Sequence, residues 1–160
     1  MQRYCEGMDS RLRGRNLIML GVGENDENLG ADDVERANKV IETTNAIPKE
    51  EIGELIVKRL GEERNQGRAR PLHITLESHE KQVRILKKAK DLKTTTGFTD
   101  IYVKKDVHPA IRKELARLRK REQEEKANPA NEGVTITYDW KTRTLTRNGF
   151  TIDRFNPSFQ

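Results

Sequence analysis

With 160 residues, the chain has room for one ordinary domain, or for a compact domain of about 100 residues with an appendage, and excludes two large domains. Its 33% apolar and 36% charged composition limits the core and leaves long elements in water, while the absence of any apolar run near the ~18 residues of a membrane helix excludes a spanning segment. A single cysteine, Cys5, and the lack of a secretory leader pattern point to a soluble, intracellular, reduced protein. The net charge of +5 is unevenly spread: residues 24–51 hold nine acids and three bases, residues 52–130 twenty bases and twelve acids. A basic body of this kind fits a polyanionic partner or a solvated lysine-rich surface, and charge alone leaves both open.

In chain order, Met1, Cys5, Met8 and Leu12 recur at spacings of four, three and four, a coiled-coil seam of under two heptads, or chance apolar spacing. Asn16 to Val22 reads as a first strand, followed by the acidic turn-rich "GENDENLG". A helix beginning at Ala31-Asp32-Asp33 turns Val34, Ala37, Val40 and Ile41 inward and ends near Asn45, before Pro48. Residues 52–60 read as a second strand, 61–70 as a basic loop and "PLHITLE" (71–77) as a half-buried third strand. Ser78 caps a basic helix anchored by Val83, Leu86 and Leu92, and "TDIYVKKDV" alternates as a fourth strand. From Pro109 a charged helix carries a narrow stripe of Ile111, Leu115 and Leu118, which requires a partner surface. The end of the chain predicts a β-meander with a two-residue turn at Asn148-Gly149.

The order strand, helix, strand, strand, helix, strand predicts an α+β fold with a split βαβ, ferredoxin-like domain. The expected segments are 1–15 (end of a coiled coil, or linker), 16–107 (an atypical RNA-recognition-motif-like domain), 108–131 (basic helix and linker) and 132–160 (small C-terminal β-meander).

Gly21-Val22-Gly23 lacks the third glycine and the adjacent helix of a phosphate loop, so Gly21 is read as ending a strand. His73, His79, His108 and Cys5 show no metal-ligand spacing, and no nucleophile motif occurs, so neither an enzyme nor a cofactor is expected. On an RNA-binding sheet, aromatic side chains of the two central strands stack bases. Setting Ala69 to Leu76 in that register puts Pro71 and His73 at the outward positions, with Ile18 and Leu20 on strand one and Tyr102 on strand four.

The stretches "RGRNLIMLGVGEND", "VKRLGEERNQGRARPLHITLES", "RILKKAKDLK" and "DVHPAIRKELARLRK" resemble the first-open-reading-frame proteins of LINE-class (non-LTR) retrotransposons over residues 11–121. The resemblance implies an RNA-recognition-motif domain, binding of single-stranded RNA and DNA, nucleic-acid chaperone activity and packaging of a transcript into a ribonucleoprotein. It also implies self-association through an upstream coiled coil, nearly all of which is missing from this sequence. The family's basic residues fall on Arg68, Arg70, Arg112 and Lys113; its strand-one arginine is Ile18, and its G-V-P-E signature reads Gly21-Val22-Gly23-Glu24.

The expected contacts are therefore Arg13, Arg15, Arg68, Arg70, Lys104, Lys105, Arg112, Lys113, Arg117, Arg119, Lys120 and Arg121 for phosphates, and Tyr102 and His73 for bases. The helical cations among them cannot share one face. No membrane partner is expected, and the setting implied is a cytoplasmic ribonucleoprotein with a nuclear phase left open. The competing reading is a protein-interaction module that uses Ile18, Leu20 and the stripe Ile111, Leu115 and Leu118.

Overall fold

The computed structural model describes residues 2–62 and 67–158, without the side chains of 2–6. Met1 of the N-terminal seam and residues 63–66 of the basic loop lie outside the described residues. The fold is α+β with two antiparallel sheets, and the chain divides into two compact units: residues 6–106, and the chain from residue 107 onward with residues 1–5.

The N-terminal residues form a helix, α1 (Gln2–Arg13), on which Met8 and Leu12 are exposed. The first unit is then built from β1 (Asn16–Leu20), α2 (Asp33–Thr43), β2 (Ile56–Arg59), β3 (Leu72–Thr75), α3 (His79–Lys88) and β4 (Tyr102–Lys105). The four strands lie in the order β2-β3-β1-β4, every neighbour antiparallel. Alternation along β1 sends Leu17 and Met19 to the core and leaves Ile18 and Leu20 on the other face. Leu72 and Ile74 of β3 join them, packed beneath Ala37, Val40 and Ile41 of α2, Ile85 of α3 and Leu92. Gly21 closes β1 with φ +82, and a Cβ there would meet the Asp100 carbonyl oxygen at 2.1 Å, so both backbone conformation and space demand glycine.

Several sequence expectations need correction. Strand two occupies only Ile56–Arg59, because Lys49–Glu51 form a 3₁₀ turn and Gly53 adopts φ +77; Ile52 and Leu55 are core residues without being strand residues. On α2, Val34 is exposed and Arg36 is buried, held by Asp33, the Asp26 carbonyl and the Ala31 carbonyl. On α3, Val83 lies about 160° around the helix from Ile85 and faces water. The buried face there is Ile85 with Gln82, whose amide donates to the carbonyls of Arg13 (3.2 Å) and Asn16 (2.7 Å).

Arg59 is the main polar junction of this unit, its side chain only 6% exposed. It sits on the core side of edge strand β2, in register with Leu72. Nε and Nη2 donate to the two oxygens of Asp33 (3.0 and 2.7 Å), and Nη1 donates to the carbonyls of Val22 and Arg70, both 2.7 Å. Nη2 also reaches the Gly23 carbonyl at 3.2 Å. The fork matches a carboxylate in a way that a lysine cannot.

The second unit comprises α4 (Pro109–Ala127) and the meander β5 (Ile136–Asp139), β6 (Thr144–Arg147) and β7 (Phe150–Arg154). Leu118 of α4 is buried with Ile136 and Leu145, flanked by Val134, Tyr138, Ile152 and Phe155. Of the helical stripe, Leu118 is the residue that the small sheet covers, which gives α4 and the meander a shared core, while Ile111 and Leu115 are only partly buried. Asn148 and Gly149 make the two-residue turn between β6 and β7 with φ 48 and 83, the primed geometry that suits twisted strands. Asp153 of β7 accepts from Arg117 (2.7 and 3.1 Å) and Arg121 (2.8 Å).

Arg59→Met should destabilise the first unit by about 2 kcal/mol in urea titration, discounted for the solvent that reaches Asp33, because five acceptor atoms lose a buried charged donor. Arg59→Lys should recover only part of the loss.

Hydrogen bonds from Arg117, opposed by burial, hold the Asp153 carboxyl at about 2 against an ordinary 3.8. A carboxyl lowered in the folded state adds stability that is complete above its ordinary value and lost as pH falls through the folded one. Unfolding of the second unit, read from the emission of Trp140, should therefore ease between pH of about 4 and about 2. Asp153→Asn should flatten that dependence.

Candidate nucleic-acid interface

The strand pairing assembles the outer face of the first unit's sheet. Directly paired residues share a face, so Lys58, His73, Ile18 and Lys104 form one row across the four strands. Leu20 and Tyr102 stand beside it on one side, and Ile56, Thr75 and Asn16 on the other. Tyr102 is 47% exposed and Ile56 66%. The face thus carries apolar Ile18, Leu20 and Ile56 and the Tyr102 ring among His73, Thr75 and Asn16, with Lys58 and Lys104 at its two edges. Lys105, by contrast, is paired with Leu17 and points toward the helix side. Sequence reading proposed the two lysines together; strand alternation separates them.

At one end of this face Asp106, itself buried, gathers three groups. It accepts from Arg13 Nη1 at 2.9 Å and Asn16 Nδ2 at 3.0 Å, and meets His73 Nε2 at 3.3 Å. Burial opposes its ionisation, but these hydrogen bonds and the Arg13 charge prevail and hold its carboxyl below the ordinary range. Arg13 is shared with Asp9 at 2.7 Å. Arg13 and His73 therefore build the end of the sheet, and His73 is a half-buried ring tied by one edge rather than an open stacking platform. Arg70 makes a two-pronged contact with Glu24, Nε at 3.1 Å and Nη2 at 2.9 Å, which holds the Glu24 carboxyl at about 2. Arg15 and Arg68 are exposed and make no ion pair among the described residues.

In the second unit, α4 sorts its cations by face. Arg117 lies between Glu114 (2.9 and 2.8 Å) and Asp153, and Arg121 also joins Asp153, so both fasten the helix to β7. Lys120 meets Glu124 loosely at 3.7 Å. Arg112, Lys113 and Arg119 are exposed and make no ion pair among the described residues. Arg112 and Arg119 stand seven residues apart, as do Lys113 and Lys120, giving two adjacent basic rows.

Two exposed aromatics escaped the sequence reading: Trp140, 63% exposed in the β5–β6 turn, and Phe150, 78% exposed at the start of β7. A large ring in a tight turn was the available signal, but both lay in segments read only as meander strands. The three histidines each have a local partner: His79 Nδ1 donates to the Gly14 carbonyl at 2.6 Å, and His108 Nδ1 accepts from the Ala110 amide at 3.1 Å. No cluster of three metal-ligating side chains occurs among the described residues, and no helix there is long and apolar enough to cross a membrane. No family model matches the chain, and a search of curated proteins finds no match either.

Proposed function

We propose that the chain is a non-enzymatic, sequence-tolerant binding module for single-stranded RNA and DNA, whose role is chaperoning and packaging in a retroelement ribonucleoprotein. The observation that carries this reading is the outer sheet face, with exposed Tyr102 two residues from Lys104 on β4 and apolar Ile18 and Leu20 beside them. An exposed ring stacks any base, a lysine beside it meets a phosphate, and neither contact reads sequence. The strand order β2-β3-β1-β4, with helices after β1 and β3, supports a split βαβ, RNA-recognition-like domain. The resemblance to first-open-reading-frame proteins of LINE-class retrotransposons points the same way and supplies the packaging role.

The contacts assigned on this reading are Tyr102 and Lys104 on the sheet, Arg15 and Arg68 on the loops that flank it, and Arg112, Lys113, Arg119 and Lys120 on α4. Arg13, Arg70, His73, Arg117 and Arg121 act through the ion pairs and hydrogen bonds they make within the protein. The alternative, a protein-interaction module, draws on exposed Ile56 together with Ile18 and Leu20. Salt separates the two: counterion release makes nucleic-acid affinity fall steeply between 50 and 200 mM salt. Absence of single-strand binding at low salt would leave the interaction module.

Tyr102→Ala should weaken single-stranded RNA binding by about 1–3 kcal/mol with the salt slope unchanged. Lys104→Ala should instead lower the slope by about one. Both are read in one fluorescence-anisotropy titration series.

Arg112→Ala with Lys113→Ala should lower the slope by about two and leave thermal stability intact. Arg117→Ala should do the reverse, easing thermal unfolding with little change of slope. Equal slopes in all three proteins would remove α4 from the interface.

A further inference from the structure

A cavity of about 120 Å³ opens between α4 and the meander, lined by Leu115, Leu118, Arg119, Glu122, Tyr138 and Trp140. Leu118 is buried and Leu115 partly so, which makes that part of the lining apolar. Tyr138 and Trp140 contribute two rings set edge to face, centroids 4.7 Å apart and 82° between planes. Arg119 and Glu122 are the two charged lining groups, three residues apart on α4 and so neighbours on its surface. Glu122 Oε1 accepts from Lys126 at 2.6 Å, which steadies the carboxylate, and its other oxygen has no partner among the described residues. Arg119 makes no ion pair there.

Each part restricts what can fit. At about 120 Å³ the cavity is smaller than the ~150 Å³ that takes up a benzene, so it admits one edge of a planar base while the rest of the base lies outside it against Trp140. The edge-to-face pair leaves a face of Trp140 in water, and Trp140 is the largest exposed ring of this unit. The charged groups supply a donor fork and a carboxylate acceptor side by side. A base edge that answers both must present an acceptor next to N–H groups. Guanine does so, with O6 for the arginine and N1–H and N2–H₂ for the carboxylate. Adenine and cytosine also set an acceptor beside an exocyclic N–H₂, but they, like uracil, offer the carboxylate a single N–H position, whereas guanine offers two adjacent ones, N1–H and N2–H₂, for both carboxylate oxygens. The cationic rows Arg112 with Arg119 and Lys113 with Lys120 run along the same helix and complement the phosphates on either side of an inserted base.

We infer that this cavity is a guanine-binding subsite, in which Trp140 stacks one base of a single strand while Arg119 and Glu122 hold its Watson–Crick edge. The inference rests on the single-strand-binding reading above and adds to it one position of base preference. It makes the second unit the part that selects, and the sheet of the first unit the part that tolerates any sequence.

Trp140 is the chain's one tryptophan, so in the folded protein its emission comes from the lining of this cavity. The test titrates the intact protein at low salt with a labelled ten-nucleotide uridine RNA and with the same RNA carrying one central guanosine, following label anisotropy and Trp140 emission together. The guanosine RNA should bind about tenfold more tightly and quench Trp140, whereas the all-uridine RNA should bind with little quenching. Glu122→Gln should bring the two affinities within about twofold while keeping the all-uridine affinity of the parent, and Arg119→Met should do the same to the ratio while lowering both affinities, because Arg119 is also one of the general contacts on α4. Equal binding of the two RNAs by the parent protein, or preference without quenching, would overturn the subsite and leave single-strand binding standing. No anisotropy change with either RNA would overturn the binding reading and the subsite with it. The comparison of two ligands on one unmodified protein does not depend on the folding of any variant.

Discussion

The first unit depends on the Arg59 guanidinium, where segments far apart in sequence meet around one buried cation. Asp33 comes from the first turn of α2, the Val22 and Gly23 carbonyls from the loop after β1, and the Arg70 carbonyl from the loop before β3. A short edge strand such as β2 has little apolar surface with which to fix itself, and Val57 is its one residue packed against the core. The fork at its end supplies the missing constraint. It also sets where Gly21 to Glu24 lie, and through the Arg70–Glu24 pair it orders the end of the basic loop that enters β3. The Gly21-Val22-Gly23 loop, whose spacing excludes a phosphate loop, is thus an anchoring point for a cation of the protein itself.

Asp106 plays the matching part at the other end of the sheet. Burying a carboxylate is costly unless donors surround it, and Arg13, Asn16 and His73 do so. One consequence is functional. The arginine and histidine that appeared suited to a ligand are held as structural partners, so the sheet's outer face is left with a lysine at each edge and apolar side chains with the Tyr102 ring between them. On the proposed reading, such a face would hold a strand through stacking and general electrostatic attraction, without a network of base-reading donors. In the second unit the same division recurs on α4, where Arg117 and Arg121 clamp β7 and Arg112, Lys113 and Arg119 remain toward water.

Much of this was legible along the chain. Alternation in "NLIML" and "LHIT" identified the strands and their inner faces, because a strand's period of two admits only one buried set. Asn148-Gly149 marked the β6–β7 turn, because few other pairs accept positive φ twice. Less legible were the faces of α2 and α3. Val34 and Val83 are apolar yet exposed, while Arg36 and Gln82 are polar yet buried. The Arg36 guanidinium donates to the Asp26 and Ala31 carbonyls and the Asp33 carboxylate, and Gln82 Nε2 to the Arg13 and Asn16 carbonyls, although Gln82 Oε1 is left without a partner among the described residues. The candidate site was legible as a set of basic and aromatic residue types, and not as a surface. Trp140 and Phe150 went unnoticed because no periodic pattern distinguishes an exposed ring in a turn from a buried one.

The sequence by itself determined the order of elements, the strand faces, the turn glycines and the concentration of positive charge in the later chain, because these follow from local backbone geometry and residue chemistry. Tertiary structure alone decided which cations are open. Arg13 and Arg15 are two residues apart, yet one is drawn into a carboxylate from ninety-three residues away and the other stays in water. Arg117 and Arg119 differ in the same way, because Asp153 arrives from β7 beneath one and not the other. Whether a charged group is left to meet a ligand is set by its nearest opposite charge in space, and that neighbour comes from a part of the chain that local sequence does not contain.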